Sequence, residues 1–173
     1  MPTTMPTLPA SGGVLPRELL ARSGFLLVRL GLDFKSQALE EMAAAGFNQY
    51  HYSVLALLDE QPQEAQAAIA DTLGLDRSQL VRILDGLEDR GLIARHRDRS
   101  DRRRHVVSVT ADGRRQLRRL RTMIDRIEDD LLAPLGADDR AKLHQLLLQL
   151  ANFRDPRCCV PELDPAAMPD PKA

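Results

Sequence analysis

The 173-residue chain carries 24 Lys and Arg against 25 Asp and Glu, a formal charge of -1, and is 43% hydrophobic but only 3% aromatic. This is enough chain for one helix-rich domain with a proper core. No apolar run approaches the roughly 18 residues of a membrane span and the start lacks a secretory pattern, so a cytoplasmic protein is expected.

The near-neutral total hides a division. Asp76 to Arg121 holds 14 Arg and 7 acidic residues, a net of +7, so the remainder sums to -8. Local sign, not the total, decides attraction to a polyanion.

Residues 1–15, rich in Pro, Thr, Ser and Gly, are expected to form a mobile arm. From Pro16 to about Ala45, Leu19, Leu20, Leu26, Leu27, Leu30, Phe34 and Leu39 predict one long helix, broken at Gly46. Asn48 is the candidate cap of the next helix, in which Tyr52, Leu55 and Leu57 or Leu58 face inward. Pro62 marks a turn. Gln66 to Leu73 forms a short helix that buries Ile69 and Leu73, and Gly74-Leu75 turns tightly into its successor. Two helices joined by a short Gly-containing turn are the signature of a helix-turn-helix.

The second of these helices, 77–90, is the most informative. Leu80, Ile83 or Leu84, and Leu87 share one face at spacings of three and four. Asp76 and Gln79 have capping-box spacing, and Gly91 closes the helix. Outward stand Arg77, Ser78, Gln79 and Arg82. Arg pairs bidentately with guanine, Gln pairs with adenine, and Ser bonds phosphate or base edges.

Ile93–Arg97 and His105–Thr110 predict two short strands. The loop between them, 98–104, carries four Arg and two Asp, and a hairpin tip of that charge fits a narrow minor groove. Arg97, Arg99, Arg102 and Arg103 are therefore candidate DNA contacts, as is Gln66 at the opening of the preceding helix. Asp101 lies two residues before Arg103, close enough to hold its guanidinium in one orientation. Thr110 or Asp112 then caps a long helix running to about Leu135, along Leu117, Leu120, Ile124, Ile127, Leu131 and Leu132. Asp138 opens a last helix through Leu143, Leu146, Leu147, Leu150 and Phe153. From Arg154 onward recurrent Pro predicts an irregular tail.

Asp85, Leu87, Glu88, Gly91 and Leu92, then Asp101, Arg102 and Arg103, then Val107, Val109 and Thr110, resemble in order and spacing the MarR (multiple antibiotic resistance regulator) transcription factors. The resemblance implies that the helix from Arg77 is the recognition helix, that Arg103 is the wing arginine and that Asp101 is its partner. Val81 and Ala65 stand where many members have Thr. The implied fold is mainly α with a small antiparallel β-wing: a winged helix-turn-helix (46–110) between an N-terminal dimerisation helix (16–45) and C-terminal dimerisation helices (111–153), followed by the tail (154–173).

The outer helices carry more leucine than one small reading unit can cover, so a symmetric homodimer is expected. It would set two reading helices roughly 34 Å apart on a palindromic operator of double-stranded DNA. The family resemblance further implies a small aromatic or phenolic effector in a crevice, with Tyr50, His51 and Tyr52 on the segment lining it. Relief of repression by that ligand is the expected regulation.

Two rival readings are a winged-helix protein–protein interaction module, against which the arginine loop argues, and a redox-responsive regulator acting through adjacent Cys158 and Cys159. No catalytic constellation, metal-ligand spacing or phosphate loop is present in the sequence, so neither an enzyme nor a cofactor is expected.

Overall fold

The computed structural model describes residues 13–61, 64–97 and 105–158. The expected arm up to residue 12, the Pro62 turn, the 98–104 loop and the tail beyond Cys158 lie outside the described residues. In chain order the elements are α1 (Arg17–Leu20), α2 (Ser23–Ala44), α3 (Gln49–Glu60), β1 (Glu64–Ala65) and α4 (Gln66–Leu73). Then come α5 (Arg77–Asp89), β2 (Ile93–Arg97), β3 (His105–Val109), α6 (Ala111–Leu131) and α7 (Ala137–Arg154), followed by a 3-10 turn at Pro156–Cys158.

Local chemistry explains where these elements depart from expectation. The first long helix is interrupted: Arg22 is extended (φ -102°, ψ 109°) ahead of Ser23 and Gly24, both weaker helix formers than Ala or Leu. Helix α6 ends at Leu131 rather than near Leu135, because Pro134 supplies no N–H and disfavours helical backbone at Ala133. Helix α7 opens at Ala137 behind Gly136, with Asp138 and Asp139 in its first turn, where the positive end of the helix dipole favours them. Thr110 leaves the strand to cap α6, its hydroxyl accepting the Gly113 N–H at 3.0 Å.

The sheet has three strands in the order β1-β3-β2, all antiparallel. Ile93 pairs with Val109 and Arg97 with His105, so the hairpin runs out from its base at α6 towards the 98–104 loop. The two-residue β1, pairing Glu64 with Val107 and Ala65 with Val106, was not expected.

The core lies where α3, α4, α5, the sheet and the first half of α6 meet. Val54, Leu55, Leu58, Ile69, Leu84, Leu87, Val107, Leu117 and Leu120 are its fully buried side chains. On α4, Ala70 joins Ile69 in the core and Leu73 is only half-buried. Helix α2 adds just Ala38 and Met42 to the buried set, and α7 adds none. The reading unit therefore closes on itself, while the outer helices hold their leucines outward.

One joint ties this unit to α6. The Thr110 hydroxyl donates to the Gly91 carbonyl at 2.7 Å, and the Thr110 N–H donates to the Leu92 carbonyl at 3.0 Å. A Cβ on Gly113 would sit 2.0 Å from the Leu92 carbonyl oxygen and 2.7 Å from Val109 Cγ2, so only glycine lets α6 approach this closely. Gly91 itself sits at φ 68°, the left-handed conformation that ends α5.

Candidate nucleic-acid interface

Helix α5 is held at both ends and along one side. At its start the Asp76 carboxylate accepts the Gln79 N–H at 2.8 Å and the Ser78 hydroxyl at 2.6 Å. The Ser78 hydrogen bond, then the Gln79 amide, holds the Asp76 carboxyl below its ordinary range. The Asp76 cap forms, but the capping box its spacing predicts closes only halfway: the Gln79 N–H is received, no Gln79 side-chain bond returns to the Asp76 backbone, and Ser78 bonds the Asp76 carboxylate instead. Ser78 thereby spends its only hydroxyl hydrogen, which leaves it an acceptor towards any outside group.

Along the inner side Leu80, Ile83, Leu84 and Leu87 are buried. At the far end the Arg90 guanidinium lies 3.8 Å over the centre of the Phe47 ring and donates to the Gly46 carbonyl at 2.8 Å. A cation over a ring face and a charged hydrogen bond together fix the angle between α5 and the α2–α3 turn.

What α5 leaves outward is Arg77, Ser78, Gln79, Val81 and Arg82, all exposed. Val81, 42% exposed, was noted in the sequence only as a departure. An exposed apolar side chain at this position is of the kind that can meet a thymine methyl. The later turns are acidic. Arg95, on β2, bridges them: its guanidinium reaches Asp85, and its Nε lies 3.1 Å from Glu88. Its backbone N–H also donates to Glu88 at 3.2 Å. Arg95 therefore neutralises two carboxylates beside a surface suited to phosphates and pins β2 to α5. Sequence reasoning missed it because the partners are tertiary.

Of the other expected contacts, Gln66 is half-buried at the start of α4 and Arg97 is exposed at the outer end of β2. Arg99, Asp101, Arg102 and Arg103 lie outside the described residues, as does Cys159. Cys158 is half-buried in the 3-10 turn.

The three residues expected at an effector crevice part company, since successive residues of a helix point about 100° apart. Tyr50 and His51 line a cavity of about 260 Å³ between α3 and α5, together with Asn48, Gln79, Arg82 and Ile83. Tyr52 lines a second cavity of about 260 Å³ among α2, α3 and α6, with Phe34, Leu39, Met42 and Ile124 as its apolar walls and Lys35 and Gln49 as polar ones. Burial pushes the Tyr52 phenol up, against the opposing pull of Arg121. Arg121 is itself paired with Asp59 at 3.1 Å.

His51 completes the α3 cap. Asn48 Oδ1 accepts the N–H groups of Tyr50 and His51 at 3.0 Å each, and His51 Nδ1 accepts the Asn48 N–H at 3.2 Å. Burial, and then the Arg90 charge, hold the imidazole pKa below its ordinary value.

Residues 47–105 match the model of the MarR family. A putative transcriptional regulatory protein for the hcr operon of Thauera aromatica is 33% identical over 99 residues, 57% of this chain and 60% of that protein. Among solved structures, the transcriptional repressor CouR bound to a 23-mer DNA duplex is 38% identical with a TM-score of 0.68, covering 81% of this chain and 99% of that one. CouR from Rhodococcus jostii RHA1 bound to p-coumaroyl-CoA is 32% identical with a TM-score of 0.65, covering 80% and 95%.

Proposed function

The chain belongs to the MarR family of transcriptional regulators, and on that premise we propose that it is a homodimeric repressor of a palindromic operator, released by a small ligand. In this reading residues 46–110 are the DNA-binding unit, 16–45 and 111–153 the dimerisation helices. The observation that carries it is the outward face of α5, where Arg77, Gln79, Val81 and Arg82 form a base-reading surface over a fully apolar inner face. The arginine loop 98–104 supplies the minor-groove contact, with Asp101 orienting Arg103. The repressor CouR, 38% identical, bound to a duplex supports the same assignment.

The effector site is the Tyr52 cavity. Its walls suit a flat apolar ring, and Lys35 suits an acid or phosphate group carried on it. A relative bound to p-coumaroyl-CoA makes a phenolic acid or its thioester the first ligand to try. This narrows the expected effector contacts from Tyr50, His51 and Tyr52 to Tyr52.

Selection of bound genomic fragments, followed by fluorescence anisotropy on the recovered duplex across a salt series, tests the reading. Log affinity should fall steeply with log salt as counterions are released. Arg103→Ala should weaken binding to every duplex and reduce that slope by about one unit. Arg82→Ala or Gln79→Ala should cost about 1–3 kcal/mol at particular base pairs. Adding p-coumaroyl-CoA or p-coumarate should release the duplex. A shallow salt dependence shared by all duplexes and unmoved by Arg103→Ala would leave a protein-binding module in its place.

A further inference from the structure

We propose that Tyr50 is a contact to the DNA backbone, so that α3 meets the duplex alongside α5 and the wing; this rests on the reading that α5 enters the major groove. Tyr50 stands 37% exposed in the first turn of α3 and shares its cavity with Gln79 and Arg82. Those two lie on the outward face of the first two turns of α5. A duplex seated on Gln79 and Arg82 must pass over this depression, with Tyr50 as its far wall.

The dimensions say which part of the duplex arrives there. Packed helices lie about 8–10 Å apart, axis to axis. The major groove is about 12 Å wide. With α5 in the groove, a side chain on the neighbouring helix meets the groove's edge, which is sugar and phosphate. A phenol hydroxyl is a neutral donor of the kind that bonds phosphate oxygens.

The acceptor atoms of the other two α3 side chains in the cavity are taken up by the helix cap. Asn48 Oδ1 accepts two backbone N–H groups, and His51 Nδ1 accepts a third. The Asn48 amide and the His51 Nε2–H stay donors, but both side chains are fixed by the cap, whereas Tyr50 carries its hydroxyl at the end of the longest of the three. Arg82, lining the same cavity, adds the positive potential that draws a phosphate in.

The test compares wild type, Tyr50→Phe and Arg82→Ala by fluorescence anisotropy at several salt concentrations. Each binds the duplex recovered by wild-type selection and a scrambled duplex of equal length. Tyr50→Phe should raise Kd about fivefold on both duplexes, the loss of one neutral hydrogen bond. Its salt slope should match wild type, because a phenol releases no counterion. Its thermal unfolding by circular dichroism should also match, since the lost hydroxyl is on an exposed residue.

Wild-type affinity in Tyr50→Phe beside a weakened Arg82→Ala overturns the inference and leaves the groove reading standing. Unchanged DNA affinity with a shifted p-coumaroyl-CoA concentration for release also overturns it, and returns Tyr50 to the effector crevice. Failure of wild type to bind any duplex removes the groove reading itself.

Discussion

At residue scale, His51 holds its place only as a neutral imidazole. Its Nδ1 accepts the Asn48 N–H, and a proton there turns the acceptor into a donor facing a donor. The folded state accordingly holds its pKa below the ordinary 6.5, by burial and then by Arg90. As pH falls through 6.5 the unfolded chain takes up this proton first. Stability contributed by His51 is thus present above 6.5 and is lost as pH drops towards the lower folded value. Urea unfolding at pH 7.5 and 5.5 should show that loss. His51→Gln keeps the acceptor of a capping box and should flatten this part of the dependence. Arg95 is the second residue on which the interface depends. Arg95→Met should cost about 1 kcal/mol of stability and weaken DNA binding at low salt, by exposing Asp85 and Glu88 to the phosphates. Arg95→Lys should rescue little, because one ammonium does not span two carboxylates as a planar fork does.

At the scale of elements, the joint between the end of α5 and α6 is the closest backbone approach at any of the described glycines. Gly113→Ala places a methyl against a backbone carbonyl that cannot rotate away, so a loss of about 3 kcal/mol or more is expected in chemical denaturation. Thr110→Val removes both the α6 cap and the bond to Gly91, and should cost about 1–2 kcal/mol. The elements themselves were largely legible. Helices α5 and α6 announce themselves by leucines at three- and four-residue spacing behind Asp76 and Thr110. The outward set on α5 follows from the same arithmetic. Strand β1 was not legible, since two residues carry no period and are held only by partners 41 to 43 positions away. The break before Ser23 was hidden because apolar residues continue on both sides of it. At the site, Arg90 and Arg95 looked like two more charges in a basic run. Their partners, Phe47, Gly46, Asp85 and Glu88, become visible only when the chain is folded. Tyr50, His51 and Tyr52 are expected together because the family resemblance implies that their segment lines a crevice; the helix turn, invisible in a linear reading, sends Tyr52 to one cavity and the other two to another.

For the whole molecule, the decisive feature is the apolar surface left on α1, α2 and α7. Val28 is 61% exposed, Leu150 55% and Phe153 85%, with Leu146 and Leu147 beside them on α7. An apolar surface of this kind is what a second copy would cover. Sedimentation velocity should give a dimer for the parent chain and a monomer for Leu147→Asp/Leu150→Asp. Anisotropy on the palindromic duplex should then show affinity reduced by about a hundredfold or more, because a lone reading unit forfeits the second, tethered binding event. The reading unit of that variant should stay folded, as its core borrows nothing from α7.

The bond between Thr110 and Gly91 has a mechanical meaning. Ile124, in the wall of the Tyr52 cavity, and Thr110, bonded to the end of α5, are 14 residues apart along one uninterrupted helix and its cap. At 1.5 Å per residue that span is an arm of about 21 Å. Pivoting it by about five degrees at the cavity would swing its far end by about 2 Å, further than any hydrogen bond to a base edge tolerates. If the proposed effector site is right, a guest that nudged one end of α6 would loosen the grip of the fingers at the other.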